Sequence, residues 1–173
     1  GTPVITFINK MDREVREPLD LIDEIEKALG MSVVPFSWPI GMGKSFRGVY
    51  DLAQDRIRVF RPGEDRLAGE AEIVSGLDDP SLAARFGEEF ARARNDLELV
   101  RGATPAFSRA EFFAGRQTPA FFGSALTNFG VEAFLKDFLA LAPSPTARES
   151  SIGPIEPTRT QFTGFVFKIQ ANM

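Results

Sequence analysis

Three polar residues, Asn9, Lys10 and Asp12, follow the apolar, β-branched run PVITFIN at residues 3–9. This run predicts a strand that is buried on both faces, as in a parallel sheet. Ligands of open α/β sheets bind at the carboxyl ends of the strands. The three side chains therefore follow a strand at the end where binding chemistry is expected.

The residue types in this stretch, NKMD, suit the recognition of a guanine base. A carboxylate such as Asp12 can accept hydrogen bonds from both N1–H and the 2-amino group of guanine, which adenine does not offer. The Asn9 amide suits the N7 and O6 edge, or a tie between neighbouring loops, and the Lys10 stem can lie on the base. The alternative is an ordinary polar turn after a strand.

A second stretch, FFGSALTNFG at residues 121–130, also separates a predicted strand (118–122) from a predicted helix. A turn through Ser124 and Ala125 lets backbone N–H groups approach the O6 atom of a base. The alternative is a strand-to-helix turn capped by Thr127 or Asn128. Both stretches follow strands of one predicted sheet, with a helix and a strand between them. Together they predict guanine binding more strongly than either does alone.

The run GMGKS at residues 41–45 ends like a phosphate-binding loop. That loop, G-x-x-x-x-G-K-[ST], requires a glycine at position 38, where this chain has Trp38. It should also open a helix, but the following FRGVYDLAQ predicts a strand. We therefore expect a tight turn into an inserted segment and no phosphate site.

The composition excludes several kinds of chemistry. The 173 residues include no cysteine and no histidine, which excludes disulfides, thiolate metal sites and the commonest general base. The formal net charge of −4 argues against a sequence-specific nucleic-acid binder. No apolar run approaches the roughly 20 residues that span a bilayer, and no leader is evident. We expect a cytoplasmic protein without membrane contact, and apolar runs at both ends indicate a piece of a longer chain.

The two outer parts of the chain, 1–39 and 118–142, have the pattern of one open α/β sheet. A helix is predicted from Pro18 to the stop at Gly30, followed by a strand at 32–38. A further helix follows residue 130, with four apolar residues predicted on its inner face: Val131, Phe134, Leu135 and Phe138.

The middle part, 40–117, predicts an inserted α+β subdomain. It contains a β-hairpin with turns at Gln54-Asp55 and Pro62-Gly63, then a short strand in AEIVSGL. A short helix is capped by Ser108, with Glu111 completing a capping box. A long helix over 80–100 carries an apolar stripe at spacings of three and four: Leu82, Phe86, Phe90, Ala93, Leu97 and Val100.

The end of the chain differs from both. Residues 143–160 are rich in Pro and Ser and predict a linker. The run QFTGFVFKIQ at 161–170 predicts a strand whose partners lie elsewhere, so residues 161–173 would begin another domain. Such an unpaired strand either pairs with a second molecule or stays disordered, and self-association through 161–170 is the expectation.

The order NKMD followed by GSAL resembles the last two guanine-recognition motifs of the GTPase superfamily. The size of the insertion between them is similar to that of the translational GTPases related to elongation factor G. WPIGMGKSFRGVYDL, ALTNFGVEAFL and FTGFVFKIQANM resemble the release factor 3 family within that group. The resemblance covers essentially the whole chain.

This resemblance implies the carboxyl-terminal half of a GTPase-type sheet of the P-loop NTPase superfamily, an inserted subdomain and the first strand of a β-barrel. It implies GTP or GDP as ligand, the ribosome as partner and a role in displacing the decoding release factor. Asn9, Lys10 and Asp12 would read guanine, with Ser124 and Ala125 as the second contact.

The resemblance also leaves gaps and alternatives. The phosphate loop, the Mg²⁺-binding switch and a histidine-bearing switch of the family would precede Asn9, so the chain by itself is expected to have no catalytic or metal-binding residues and no GTP hydrolysis. The alternatives are another elongation factor G-like GTPase, or an interaction module in which 40–117 docks a ribosomal or protein partner without binding a nucleotide.

Overall fold

A computed structural model describes residues 2–60 and 73–170 of the chain. The chain divides into two compact units, Gly1–Leu141 and Ala142–Met173. The first unit contains these elements: β1 (Thr6–Ile8), α1 (Pro18–Leu29), β2 (Ser32–Pro35), β3 (Ser37–Ile40), β4 (Gly48–Asp51), β5 (Arg56–Val59), β6 (Ile73–Ser75), α2 (Pro80–Ala103), α3 (Arg109–Phe113), β7 (Gln117–Phe122) and α4 (Val131–Leu141).

The first sheet is parallel, with the strand order β1-β7-β2. β7 is the central strand and is buried along its whole length. Ile8 in β1 is paired in register with Phe122 in β7, so the two strands end side by side. The α/β prediction for the outer parts of the chain is confirmed, although β1 is shorter than the apolar run at 3–9.

Helix α1 begins and ends at the predicted residues. Pro18 occupies the first turn, where its missing N–H has no helical partner to lose. Gly30 adopts the left-handed conformation (φ 64°), and its N–H donates to the carbonyl of Glu26 at 2.8 Å. This glycine cap ends the helix and turns the chain into β2.

The second sheet is antiparallel, with the strand order β3-β4-β5-β6. The predicted strand at 32–38 divides at Phe36, where the chain passes from the first sheet to the second. The Phe36 N–H donates to Ala120 O of β7, and Phe36 O accepts from Leu52 N.

The hairpin turn at Gln54-Asp55 is confirmed, whereas the one predicted at Pro62-Gly63 lies outside the described residues. The second sheet already begins at Ser37, and the predicted boundaries of the subdomain, 40–117, stay a prediction.

Helix α2 covers the second sheet with the predicted apolar stripe. Asp79 caps it by accepting from Ser81 N at 2.9 Å. Gly87 interrupts the helix with φ 58° and ψ −137°, so two helical segments meet there. All six stripe residues are buried: Leu82, Phe86, Phe90, Ala93, Leu97 and Val100. They join Trp38, Tyr50 and Ile57 in a core that continues to Ile8 of the first sheet and to Met11 just after β1.

The capping box predicted at α3 is only half formed. Ser108 Oγ accepts from Glu111 N at 3.4 Å, as predicted. The return bond is absent because Ser108 N donates to Gln117 Oε1 at 2.8 Å. The Glu111 carboxylate instead pairs with the guanidinium of Arg116, which offers it two N–H donors.

Two of the four residues predicted on the inner face of α4 are exposed. Phe134 packs against Phe7 and Phe121 of the first sheet, with ring centroids 5.2 and 5.4 Å apart. Leu135 is 50% exposed and Phe138 41% exposed. Part of the predicted apolar face of α4 therefore faces solvent in the described structure.

The second unit has little regular structure. An isolated bridge joins Arg148 and Ile155 within the predicted linker. Residues 161–170 form no strand, contrary to the prediction, and their apolar side chains are exposed, with Phe162 at 98%. A strand requires hydrogen bonds to a neighbour, and none pairs with this run in the described part of the chain. The assignment of 161–173 to another domain, and self-association through 161–170, stay predictions.

In the described parts of the chain, no helix is long and apolar enough to cross a bilayer.

Candidate functional site

Two loops meet at the carboxyl ends of β1 and β7. The first loop comprises residues 9–14, and the second loop comprises residues 123–130. Backbone hydrogen bonds continue the pairing of the strands into the loops: Gly123 N donates to Ile8 O at 3.0 Å, and Met11 N donates to Gly123 O at 3.1 Å. The loops are therefore fixed to each other by the sheet itself.

Side chains tie the loops together a second time. Asn9 Oδ1 accepts from the backbone N–H of Ala125 at 2.8 Å. Ser124 Oγ donates to Asp12 Oδ1 at 2.5 Å. The structure thus brings together four of the five predicted site residues in two direct hydrogen bonds.

Lys10, the fifth predicted residue, shapes the first loop through its backbone. It has φ 72°, a left-handed conformation that is unfavourable for a residue with a side chain. Two hydrogen bonds hold it there: Lys10 N donates to Asn9 Oδ1 at 2.7 Å, and Arg13 N donates to Lys10 O at 3.0 Å. The residue is exposed, so its methylene stem is available to a flat ligand.

Asp12 presents a carboxylate at the edge of this site. Its side chain is 17% exposed, and Arg13 Nε lies 4.0 Å from Oδ2. A carboxylate has about four lone-pair positions, so the bond from Ser124 leaves acceptor capacity on both oxygens. The arrangement can accept two adjacent N–H groups from a ligand.

The structure changes the roles expected of Ser124 and Ala125. Ser124 is fully buried, and its hydroxyl is directed to Asp12. Its geometry favours orienting Asp12 over touching a base. The N–H of Ala125 is engaged by Asn9, so an oxygen of a base would compete with the Asn9 amide for this donor.

Three further residues shape the site without having been predicted there. Met11 is fully buried in the middle of an otherwise polar loop. A Cβ at Gly123 would lie 2.5 Å from Phe129 O and 2.8 Å from the ring of Phe7, so only glycine fits. Gly130 has φ 80°. An apolar residue within a polar turn, and glycines at both ends of the second loop, are the signals in the sequence.

The run GMGKS forms a short 3₁₀ turn, Gly43–Ser45, that leads into β4. The prediction of a tight turn is confirmed, and the turn opens no α-helix. Its Gly43 N–H donates to Met11 O at 2.9 Å, which places the turn beside the first loop. Within residues 2–60 and 73–170, no three carboxylates gather in a way that could hold a metal ion.

The sequence profile of the family described as "Elongation factor Tu GTP binding domain" matches residues 1–144. The chain belongs to this family. Over its full length it is also similar to proteins named peptide chain release factor 3, being 58% identical to the protein of Bordetella petrii, 56% to that of Bordetella avium and 55% to that of Nitrosomonas europaea. These matches confirm the resemblance to the release factor 3 family.

The matches also define how much of those proteins the chain represents. Each alignment includes 100% of this chain but only 32% of the length of the relative. Among solved structures, it is similar to the crystal structure of ttk003000868 from Thermus thermophilus, with a TM-score of 0.52 and 16% identity. That likeness covers 82% of this chain and 22% of the other, and at this identity it concerns the fold alone.

Proposed function

We propose that the two loops bind the guanine base of GTP or GDP. The observation that carries this proposal is the pair of ties between the loops, Asn9 to Ala125 and Ser124 to Asp12. They place a partly exposed carboxylate, an amide and an exposed lysine at the ends of two neighbouring parallel strands, where ligands of such sheets bind.

Each group then has a distinct role towards the base. Asp12 accepts from N1–H and the 2-amino group, which selects guanine over adenine. Asn9 and the N–H of Ala125 lie towards the N7 and O6 edge, where the base oxygen competes with Asn9 Oδ1 for the Ala125 donor, and Lys10 lies along the ring. Ser124 acts through Asp12 by orienting its carboxylate. We assign no residue of this chain to the phosphates or to Mg²⁺, which would neutralise the phosphate charge in the complete protein.

The proposal for the complete protein rests on its relatives. Since the chain is similar throughout to proteins named peptide chain release factor 3, we propose that the complete protein is a GTP-binding factor of translation termination. It would bind the ribosome and use GTP to promote dissociation of the decoding release factor.

A change of nucleotide preference tests the base contact. In the complete protein, Asp12→Asn should lose guanine and gain xanthine nucleotides, because an amide can donate to the 2-oxygen of xanthine. A hydrogen bond to a charged group contributes about 1.5–3 kcal/mol, so GDP affinity should fall about 10- to 150-fold. Calorimetry with GDP and xanthosine diphosphate measures both effects.

Asp20→Asn, on the exposed face of α1, is the matched control and should leave both affinities unchanged. GDP affinity that is unchanged in Asp12→Asn would remove Asp12 from the site. Failure of the wild-type protein to prefer GDP over ADP would reject guanine binding altogether.

A further inference from the structure

We propose that the turn at residues 41–46 is a positioning element that sets the guanine specificity of the two loops. This segment contains the GMGKS run, which the proposed function leaves without a role. The inference rests on the proposed function, because it concerns how the same site is held in shape.

The turn contacts the first loop through a backbone hydrogen bond. Gly43 N donates to Met11 O at 2.9 Å, while Met11 N donates to Gly123 O at 3.1 Å. The fully buried Met11 is thus held from both sides, by the turn and by the second loop. Because Met11 lies between Lys10 and Asp12, its backbone determines where the Asp12 carboxylate points.

The same turn contacts the second loop through aromatic side chains. Phe46 packs edge-on against Phe129, with ring centroids 5.5 Å apart, and Phe60 of the inserted segment lies 5.3 Å from the same ring. Phe129 in turn bonds Ser124 by both backbone groups: Ser124 N donates to Phe129 O at 3.0 Å, and Phe129 N donates to Ser124 O at 2.9 Å. The packing contact between Phe46 and Phe129 is therefore linked, through the backbone of Phe129, to the serine that orients Asp12.

Glycine is required at two positions for this arrangement. Gly43 has φ 56°, and a Cβ there would meet the carboxylate of Glu14, an exposed side chain that can rotate away, and would lie 3.2 Å from Glu14 N, a backbone atom of the first loop that would have to shift by a few tenths of an ångström. Gly41 has φ 73°, and its Cβ would clash with the backbone oxygen of Ser45. Gly43 brings the backbone of the turn against the first loop, and Gly41 lets the turn close on itself at Ser45, which explains the GMG pattern without a phosphate.

The consequence is a specificity effect that general loss of stability does not produce. Hypoxanthine lacks only the 2-amino group of guanine, so the ratio of IDP to GDP dissociation constants reports how well Asp12 is aimed. A displaced Met11 peptide would weaken the 2-amino contact and leave the rest of the nucleotide bound.

The test compares glycine substitutions in the complete protein by measuring the dissociation constants of GDP and IDP. Gly43→Ala should lower the IDP-to-GDP ratio by about 3- to 10-fold, the range of one hydrogen bond. Gly30→Ala is the matched control, because Gly30 has φ 64° but nothing within 4 Å of its Cβ. It carries the same backbone strain away from the loops and should leave the ratio unchanged.

Phe46→Leu provides a second, milder route to the same result should Gly43→Ala not fold, and it should also lower the ratio. Equal weakening of GDP and IDP, or an unchanged ratio in the folded variants, would overturn the positioning role. A wild-type protein that does not prefer GDP over ADP would instead reject the proposed guanine site. A preference for GDP that Asp12→Asn abolishes and the turn variants retain would reject the positioning role alone.

Discussion

The hydroxyl of Ser124 donates to Asp12 Oδ1 at 2.5 Å, although 112 positions separate the two residues. Ser124 is buried and Asp12 is partly exposed, so the bond runs from the interior to the edge of the site. This direction makes Ser124 a support for the carboxylate, and it links the two motifs into one unit.

Removing that support should weaken guanine binding without abolishing it. Ser124→Ala leaves the Asp12 carboxylate free to rotate, and we expect GDP affinity to fall about 3- to 20-fold, since one hydrogen bond to a charged group is lost while water partly replaces it. Calorimetry on the complete protein measures this. Ser108→Ala removes a helix cap away from the site and should not change GDP affinity; an unaltered affinity in Ser124→Ala would contradict the support.

Tyr50 should titrate far above an ordinary tyrosine. Its hydroxyl donates to Asp55 Oδ1 at 2.7 Å and accepts from Arg101 at 2.9 Å. Burial, followed by the hydrogen bond and charge of Asp55, raises the pKa of Tyr50 from 10.0 to about 12. Because the neutral form is favoured in the folded state, stability should fall as pH rises from 10 to about 12.

Ultraviolet absorbance can follow this ionisation directly, because Tyr50 is the only tyrosine of the chain. The chain unfolded in guanidinium is the control and should titrate near 10.0. A folded chain that titrates at the same pH as the unfolded control would show that Tyr50 is not held in this network.

A side chain at Gly87, where α2 is interrupted, should destabilise the protein even though space for it is available. A Cβ at Gly87 would meet nothing within 4 Å, but the backbone has φ 58° and ψ −137°, which only glycine adopts readily. Gly87→Ala should therefore destabilise the protein by about 1–3 kcal/mol. Chemical denaturation measures the free energy of unfolding.

Gly102 offers the matched control in the same helix. Its Cβ would also meet nothing within 4 Å, and its φ is not positive. Gly102→Ala should stabilise by about 0.4–1 kcal/mol, since alanine restricts the unfolded chain. Equal effects of the two substitutions would contradict a conformational role for Gly87.

Asp137 in α4 should make stability depend on pH. Burial, then the negative charge of Asp51, raises its pKa above the ordinary 3.8, and Lys136 and Arg58 oppose the shift. The folded state binds the proton more tightly than the unfolded state, so this contribution to stability is present below pH 3.8 and is lost as pH rises through the higher, folded-state pKa.

Asp137→Asn should therefore gain stability over the wild type as pH rises from acid to neutral. Thermal unfolding across this range, with the exposed Glu132→Gln in the same helix as control, measures the difference. A difference between Asp137→Asn and wild type that does not vary with pH would reject the shift.

The sequence alone was sufficient wherever a few neighbouring residues determine the structure. Pro18 and Gly30 mark the start and the end of α1, and spacings of three and four predicted the buried stripe of α2. The polar residues after two apolar strands predicted that the two loops would meet, because parallel strands end at one edge of a sheet. In each case the responsible interactions lie within a few positions along the chain or follow from the general geometry of sheets.

Contacts between distant segments decided the rest. Ser108 loses half of its capping box to Gln117, and the second sheet begins at Ser37 because Phe36 bonds both β7 and Leu52. The GMGKS run became a contact of Met11, and Ser124 became a support for Asp12, only once the chain had folded. No local pattern encodes these pairings, because each depends on which surfaces the completed sheets and helices bring within hydrogen-bonding distance.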